Sequence, residues 1–372
     1  MLQALYIEKK CKPHPLAVAS VKDFACEAGE GVDLDILDEP RVTLYCLDNA
    51  SRRAIFVETD PDVEATESTF LWQGQYEHAR RLLALPYDDL RRLAGPIDGT
   101  GITFIHSVGR CGSTLLTEAF REAGSVTSLA EPDVYTQIAG WRSEGKWTDS
   151  ELIDLARSAT AFLLRPAAAT SERLSVVKLR GIWIADLLRT ALPEASHVFL
   201  YRGLRSWIVS SARAYFTLFD NPSEESWARL VRHLARYSPF LAEELQTSRD
   251  VPSPLEVLAL QWLSVVHRYV EERERTPMLR VRYEDMVAHP HETIGSVFHH
   301  VGLPGESVSA GVRTFERDSQ EGTLLSRDAI RTRAGEAITE REWDRVRAVV
   351  ERYPLSCSDA RALPDIALCM VV

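Results

Sequence analysis

The stretch Ile102–Phe120, ITFIHSVGRCGSTLLTEAF, constrains this chain more than any other segment. Four apolar or β-branched residues, Ile102 to Ile105, predict a short buried strand. A loop follows, with glycines at Gly109 and Gly112 and a cation at Arg110; Ser113, Thr114, Leu115 and Leu116 then open a helix. Strand, small-residue loop and helix N-terminus together make a cradle for an anion. Glycines let the backbone approach closely, the free amides of the first helical turn point at the ligand, and the helix dipole favours negative charge there. Arg110 adds charge-assisted hydrogen bonds, and Ser113 and Thr114 add hydroxyl donors. We read a phosphate-binding loop. It departs from the G-x-x-x-x-G-K-[ST] pattern, because Ser113 directly follows Gly112 and the cation lies two residues before that glycine.

A second segment, Ser196–Phe216, repeats the arrangement: a buried strand from His197 to Tyr201, then Arg202, then a helix. Arg202 at the strand end and Ser210, eight residues later in the helix, could grip one phosphate together.

Strand-loop-helix with R-x-G-S-T, followed by a strand ending in Y-R with Ser eight residues on, resembles the sulfotransferase family. Further matches keep the family's order. Leu174–Arg180, LSVVKLR, is similar to the strand whose terminal Lys faces the transferred group. Val281–Pro304 is similar to the late Y-E-D segment, and Asp318–Arg327 falls where the family places a loop closing over the nucleotide. The resemblance covers about Gly101 to Arg327. It implies transfer of a sulfuryl group from 3′-phosphoadenosine 5′-phosphosulfate (PAPS), a co-substrate, to a hydroxyl or amine by in-line displacement. It also implies roles. Arg110, Cys111, Gly112, Ser113 and Thr114 would hold the 5′-phosphate side, and Arg202 and Ser210 the 3′-phosphate, with Arg327 a further candidate there. Tyr283 would lie near the adenine, and Lys178 would meet the sulfuryl or bridging oxygen.

Sulfuryl transfer resembles phosphoryl transfer: positioning and electrostatics do most of the work, so Arg110, Lys178 and backbone amides are the expected stabilisers. No metal is expected. Many cytosolic relatives carry a general-base His two residues after the strand-terminal Lys; here that place holds Arg180. Carbohydrate- and tyrosine-modifying relatives use a Glu shortly after the first helix, where Glu131 stands, fixed by Pro132 at the end of a strand-like run. Glu131, with its pKa raised by burial, is the expected base, and His106 the fallback. Two other readings stay open: a P-loop kinase or nucleotide hydrolase, and a catalytically silent nucleotide-binding protein of the same fold.

Composition fits. A net charge of −11 argues against a general nucleic-acid or anionic-membrane binder, so an anionic donor must be drawn by local arginines. Six scattered cysteines show no metal-ligand spacing, and Cys111 fills the place of a small residue. No signal peptide or membrane span is visible, and the apolar C-terminal IALCMVV is too short to cross a bilayer; we expect a cytoplasmic protein with a small-molecule or carbohydrate acceptor.

Strands alternating with helices predict an α/β fold in three layers: a mainly parallel sheet with helices on both faces. Arg110, Lys178, Arg202 and Tyr283 all follow predicted strands, which places them on the ligand-binding edge. We expect this domain over 98–372, preceded over 1–97 by a small α+β extension. In the extension Arg41–Leu47 and Arg52–Thr59 read as strands and Glu77–Ala94 as an amphipathic helix broken at Pro86. It could cover the acceptor pocket, make an oligomer contact or extend the sheet. Helices are further expected over Ser150–Leu164, Gly181–Leu192, Pro254–Arg275 and Thr339–Tyr353. Trp141, Trp147, Trp183, Trp207 and Tyr215 are candidates for an apolar pocket or for core.

Overall fold

The first ninety residues build a sheet of their own. Strands β1 (Leu2–Lys10), β2 (Phe24–Val32), β3 (Val42–Asp48), β4 (Arg53–Thr59) and β5 (Ala79–Pro86) pair antiparallel in the order β2-β1-β5-β4-β3. A computed structural model describes the chain over residues 1–354, apart from 125, 166–173, 216–222, 249, 324 and 333–337. The C-terminal IALCMVV and most of the expected loop Arg165–Ser171 lie outside the described residues.

The expected helix over Glu77–Ala94 is replaced by the central strand β5 between two short helices, Leu71–His78 and Tyr87–Leu93. The reason is burial on both faces. Leu82 and Ala84 pack with Tyr45, Ile55 and Val57, while Leu83 and Leu85 point the other way, against Leu44 and Phe56. A continuous apolar run suits a strand with both faces covered, and its period cannot be told from that of a helix by sequence.

The second sheet is wholly parallel. Strands β6 (Ile102–Ser107), β7 (Val126–Ala130), β8 (Leu174–Lys178), β9 (Ser196–Tyr201) and β10 (Leu279–Arg282) lie in the order β10-β9-β6-β8-β7. Helices cover both faces, as expected. Ser113–Glu122, Leu204–Tyr215, Pro254–Glu272, Pro290–Val301 and Glu340–Arg352 share one core with Ile105, Val176 and Phe199. Asp133–Glu144, Asp149–Leu163 and Ala185–Ala191 share the other with Phe104 and Val177; the last of these starts four residues later than Gly181.

The antiparallel sheet packs on the outside of that second helical layer. Phe56 meets Phe162 edge-on at 5.4 Å, and the Gln137 side-chain amide pairs with the edge strand β3, accepting from Leu47 N and donating to Leu47 O. Gln137 thus satisfies backbone groups that an edge strand would leave open. Capping boxes at Thr148 with Glu151, Ser253 with Glu256 and Thr339 with Glu342 start three helices.

From β6 the chain runs out to β7 and back to β8 on one side, then crosses to β9 and β10 on the other. Such a switch point opens a crevice at the carboxyl ends of the strands, and the loop 108–112 lies there.

Candidate active site

The turn after β6 is held in an uncommon shape. Gly109, Arg110 and Gly112 all have positive φ, at 74°, 45° and 82°. For Arg110 that conformation costs on the order of 1 kcal/mol, and its neighbours hold it there. Trp207 Nε1 donates to Gly109 O at 2.7 Å and Val108 O at 3.1 Å, and Arg202 donates to Arg110 O at 3.3 Å. At Gly112 a Cβ would stand 2.6 Å from Met286 Cε and 2.8 Å from Tyr283 Cδ2, so only glycine fits. Gly112 caps the helix Ser113–Glu122, whose first residues Ser113 and Thr114 are buried.

These groups line a cavity of about 690 Å³. Arg110, Gly112, Ser113, Thr114, Lys178, Arg202, Ser210, Tyr283 and Glu131 all face it, so the structure brings nine of the sequence candidates to one place. Arg110 donates to Gln320 Oε1 at 2.7 Å, and the Gln320 amide donates to Thr114 Oγ1 at 3.3 Å. The segment Asp318–Gln320 therefore closes against the loop. Arg202 lies 4.5 Å above the Tyr283 ring and donates to two neutral groups, Ser206 Oγ at 3.1 Å and the Arg110 carbonyl. Burial works against its charge, which an anion in the cavity would favour. Trp262 is fully buried, and its Nε1 donates to Arg202 O at 2.9 Å. Glu284 accepts from Gly203 N and Ser206 Oγ, fixing the entry of the helix Leu204–Tyr215.

Lys178 ends β8 and is 3% exposed. Its Nζ stands 2.8 Å from Glu131 Oε1, 3.1 Å from Thr114 Oγ1 and 5.0 Å from the Phe70 ring centroid. Glu131 follows β7 with φ 60°, and its N–H donates to Lys178 O at 2.8 Å. Burial pushes the Glu131 carboxyl up, but Lys178, Arg180 and the hydrogen bond from Trp72 outweigh it, and the carboxyl ends below its ordinary value. The expected rise by burial alone is thereby corrected: cations at 2.8 and 3.5 Å decide the sign.

Three sequence expectations are corrected or fall outside the cavity, and a fourth lies outside the described residues. The Cys111 side chain turns into the core, where burial lifts its thiol to about 11, so only its backbone is available to the loop. His106 is fully buried, its Nε2 3.0 Å from His197 Nδ1, and it does not line the cavity. Of the aromatic candidates only Tyr215 lines it; Trp141 stacks on Trp147 at 5.3 Å, and Trp207 supports the loop from behind. Arg327 opens a short helix, Arg327–Thr332, and its side chain lies outside the described residues.

Sequence reasoning missed the remaining walls. Leu16, Phe70 and Trp72, from the first sheet's connections, and Leu325 and Ile330 also line the cavity. Arg180 also lines it; it pairs with Asp133 at 2.8 Å and donates to Leu16 O at 3.2 Å. No local pattern marks Leu16 or Arg180, because the partners that place them lie 47 to 164 positions away. Among the described residues no group of His, Cys, Asp and Glu side chains could hold a metal ion, and no helix is long and apolar enough to cross a membrane.

Comparison with known families matches residues 102–323 to the sulfotransferase domain. Similar solved structures include the sulfotransferase domain from the curacin biosynthetic pathway: 15% identity, 73% of this chain and 99% of that chain covered, TM-score 0.41. Another is mouse sulfotransferase SULT7A1 complexed with PAP: 13% identity, 75% and 93% covered, TM-score 0.41. A third is a sulfotransferase from Alicyclobacillus acidocaldarius: 14% identity, 72% and 99% covered, TM-score 0.38. A comparison with curated proteins gives no match.

Proposed function

Because the chain belongs to the sulfotransferase domain family and is a sulfotransferase, we propose that it moves a sulfuryl group from PAPS to a hydroxyl of an acceptor seated beside Glu131. One observation carries this reading: Gly109, Arg110 and Gly112 after β6, Lys178 at the end of β8, Arg202 and Ser210 after β9, and Tyr283 after β10 line a single cavity. The Tyr283 ring packed against Gly112 of the loop, with the cation Arg202 over it, suits a purine bisphosphate.

In this reading the first-turn amides, Ser113 and Thr114 hold the 5′-phosphate, and Arg202 and Ser210 hold the 3′-phosphate. The acceptor oxygen attacks sulfur in line with the bond to the 5′-phosphate oxygen. That bond breaks, and its electron pair leaves with the adenosine bisphosphate. Lys178 and Arg110 meet the charge that develops there. Glu131, ionised by its neighbours, takes the acceptor proton.

Calorimetric titration with 3′-phosphoadenosine 5′-phosphate (PAP), beside ADP with magnesium, tests the donor assignment. Micromolar PAP binding without metal, and much weaker ADP binding, is expected. Preference for ADP with magnesium would favour a kinase or hydrolase instead.

A further inference from the structure

The matched sulfotransferase domain begins at residue 102, yet Leu16, Phe70 and Trp72 in the cavity wall come from before it. The Trp72 indole donates to Glu131 Oε2 at 3.3 Å, and its ring lies 5.1 Å from the Arg180 guanidinium. Phe70 stacks on Trp72 at 5.7 Å with its ring 5.0 Å from Lys178 Nζ. Both aromatics are at most 5% exposed. They form one apolar cluster with Leu16, Tyr215, Leu325 and Ile330, and all six line the cavity.

The strap that brings this wall in is polar and buried. Asp133, 1% exposed, accepts from Ala19 N at 2.7 Å and from Arg180 at 3.1 Å, and Arg180 donates to Leu16 O at 3.2 Å. Residues 16–19 are thus tied to the same two side chains that flank Glu131. A buried carboxylate satisfied from both parts of the chain fixes them in one arrangement.

We propose that the N-terminal sheet is a working part of the transfer site: Trp72 is a positioning residue that orients the Glu131 carboxylate, and Phe70 and Trp72 seat an acceptor whose hydroxyl is carried on a flat apolar body. This rests on the sulfotransferase reading of the cavity. The wall favours an apolar acceptor over a sugar for a physical reason. A sugar needs hydrogen-bond partners around its ring, and leaving them unmade carries a desolvation penalty. Leu16, Phe70, Leu325 and Ile330 offer none, the Trp72 indole N–H is already given to Glu131, and Tyr215 adds a single hydroxyl, too few for the several hydroxyls of a sugar ring.

The test compares wild type with Trp72→Phe and Trp72→Ala, using PAPS and two probe acceptors, 2-naphthol and glucose. PAP binding by calorimetry should stay within about twofold in both variants, which reports an intact fold and donor half. Trp72→Phe keeps an aromatic wall but removes the donor to Glu131. It should lower kcat for 2-naphthol about tenfold, with KM little changed, an energy of about 1.4 kcal/mol. The acid limb of its pH profile should move upward, because a hydrogen bond that favours the ionised carboxyl is gone; Lys178, Arg180, Asp133 and Tyr215 still act on Glu131. Trp72→Ala should in addition raise KM for 2-naphthol about tenfold. A purely structural role would move PAP affinity and leave the pH profile in place. An unshifted profile in Trp72→Phe, an unchanged KM in Trp72→Ala, or glucose as the better acceptor overturns the proposal while PAP binding leaves the donor reading standing. Failure of wild type to bind PAP overturns both.

Discussion

Lys178 and Glu131 meet at 2.8 Å across the carboxyl ends of neighbouring strands β8 and β7, and the same ammonium donates to Thr114 at the start of the phosphate-loop helix. One buried cation therefore touches both the proposed base and the proposed donor cradle. Its removal should act on both.

Lys178→Met tests that double contact. The substitution keeps the stem and removes the charge. Loss of a cation that stabilises developing negative charge should lower kcat by about 100-fold or more. With the 2.8 Å partner gone, burial gains weight and the Glu131 carboxyl rises, so activity should fail at a higher pH than in wild type. Rate measurements from pH 5 to 9 check it. A Glu131→Gln variant should abolish that acid limb; retention of wild-type activity by Glu131→Gln would remove Glu131 as the base.

Arg202→Ala isolates the second phosphate contact. The guanidinium is held by the Tyr283 ring, Ser206 and the Arg110 carbonyl, so it is oriented before any ligand arrives. A charge-assisted hydrogen bond contributes about 1.5–3 kcal/mol, which converts to roughly 10- to 150-fold in PAP affinity. Ser210→Ala should lose less, about fivefold, since a neutral hydroxyl bond contributes about 1 kcal/mol. Equal PAP affinity in Arg202→Ala and wild type would detach Arg202 from the donor.

Much of this site was legible because local chemistry makes it. A glycine-rich turn must follow a buried strand, and a parallel sheet sends every strand end to one edge, so Arg110, Lys178, Arg202 and Tyr283 could be placed together from their positions alone. The acceptor half was not legible. Phe70 and Trp72 stand in no motif, and their roles depend on Glu131 and Lys178, which only the packed second layer brings near. β5 was misread for a related reason: Leu82–Leu85 is apolar throughout, and only the two cores on either side of it select a strand. The sign of the Glu131 shift needed distances to Lys178 and Arg180 that no sequence spacing supplies.

Gly112→Ala tests the cradle. The added methyl meets Met286 Cε and Tyr283 Cδ2 inside 3 Å, and φ 82° disfavours any Cβ by about 1–2 kcal/mol. Tyr283 is the ring beneath Arg202, so displacing it disturbs the site as well as the fold. PAP affinity should fall at least tenfold, with a melting temperature lower by a few degrees. Gly145→Ala is the control for backbone strain alone: it too has positive φ, at 66°, but no atom within 4 Å of the added carbon, and its PAP affinity should match wild type.

The His106–His197 pair should make stability depend on pH. The two rings stack with centroids 5.2 Å apart in the centre of the parallel sheet. Burial, and then His197, hold His106 well below its ordinary value; burial, and then Arg189 and His300, lower His197 to about 4. Both rings are neutral in the folded protein at pH 7, and in the unfolded chain they take protons near pH 6.5. The unfolded state therefore binds more protons as pH falls below about 6.5, and stability drops from there toward pH 4, by at most about 1.4 kcal/mol per pH unit for each histidine. Urea midpoints at pH 7, 6 and 5 should fall in that order. His197→Asn removes one of the two titrating groups and should flatten the fall by about half; an unchanged slope in the variant would show that these histidines do not set the acid sensitivity.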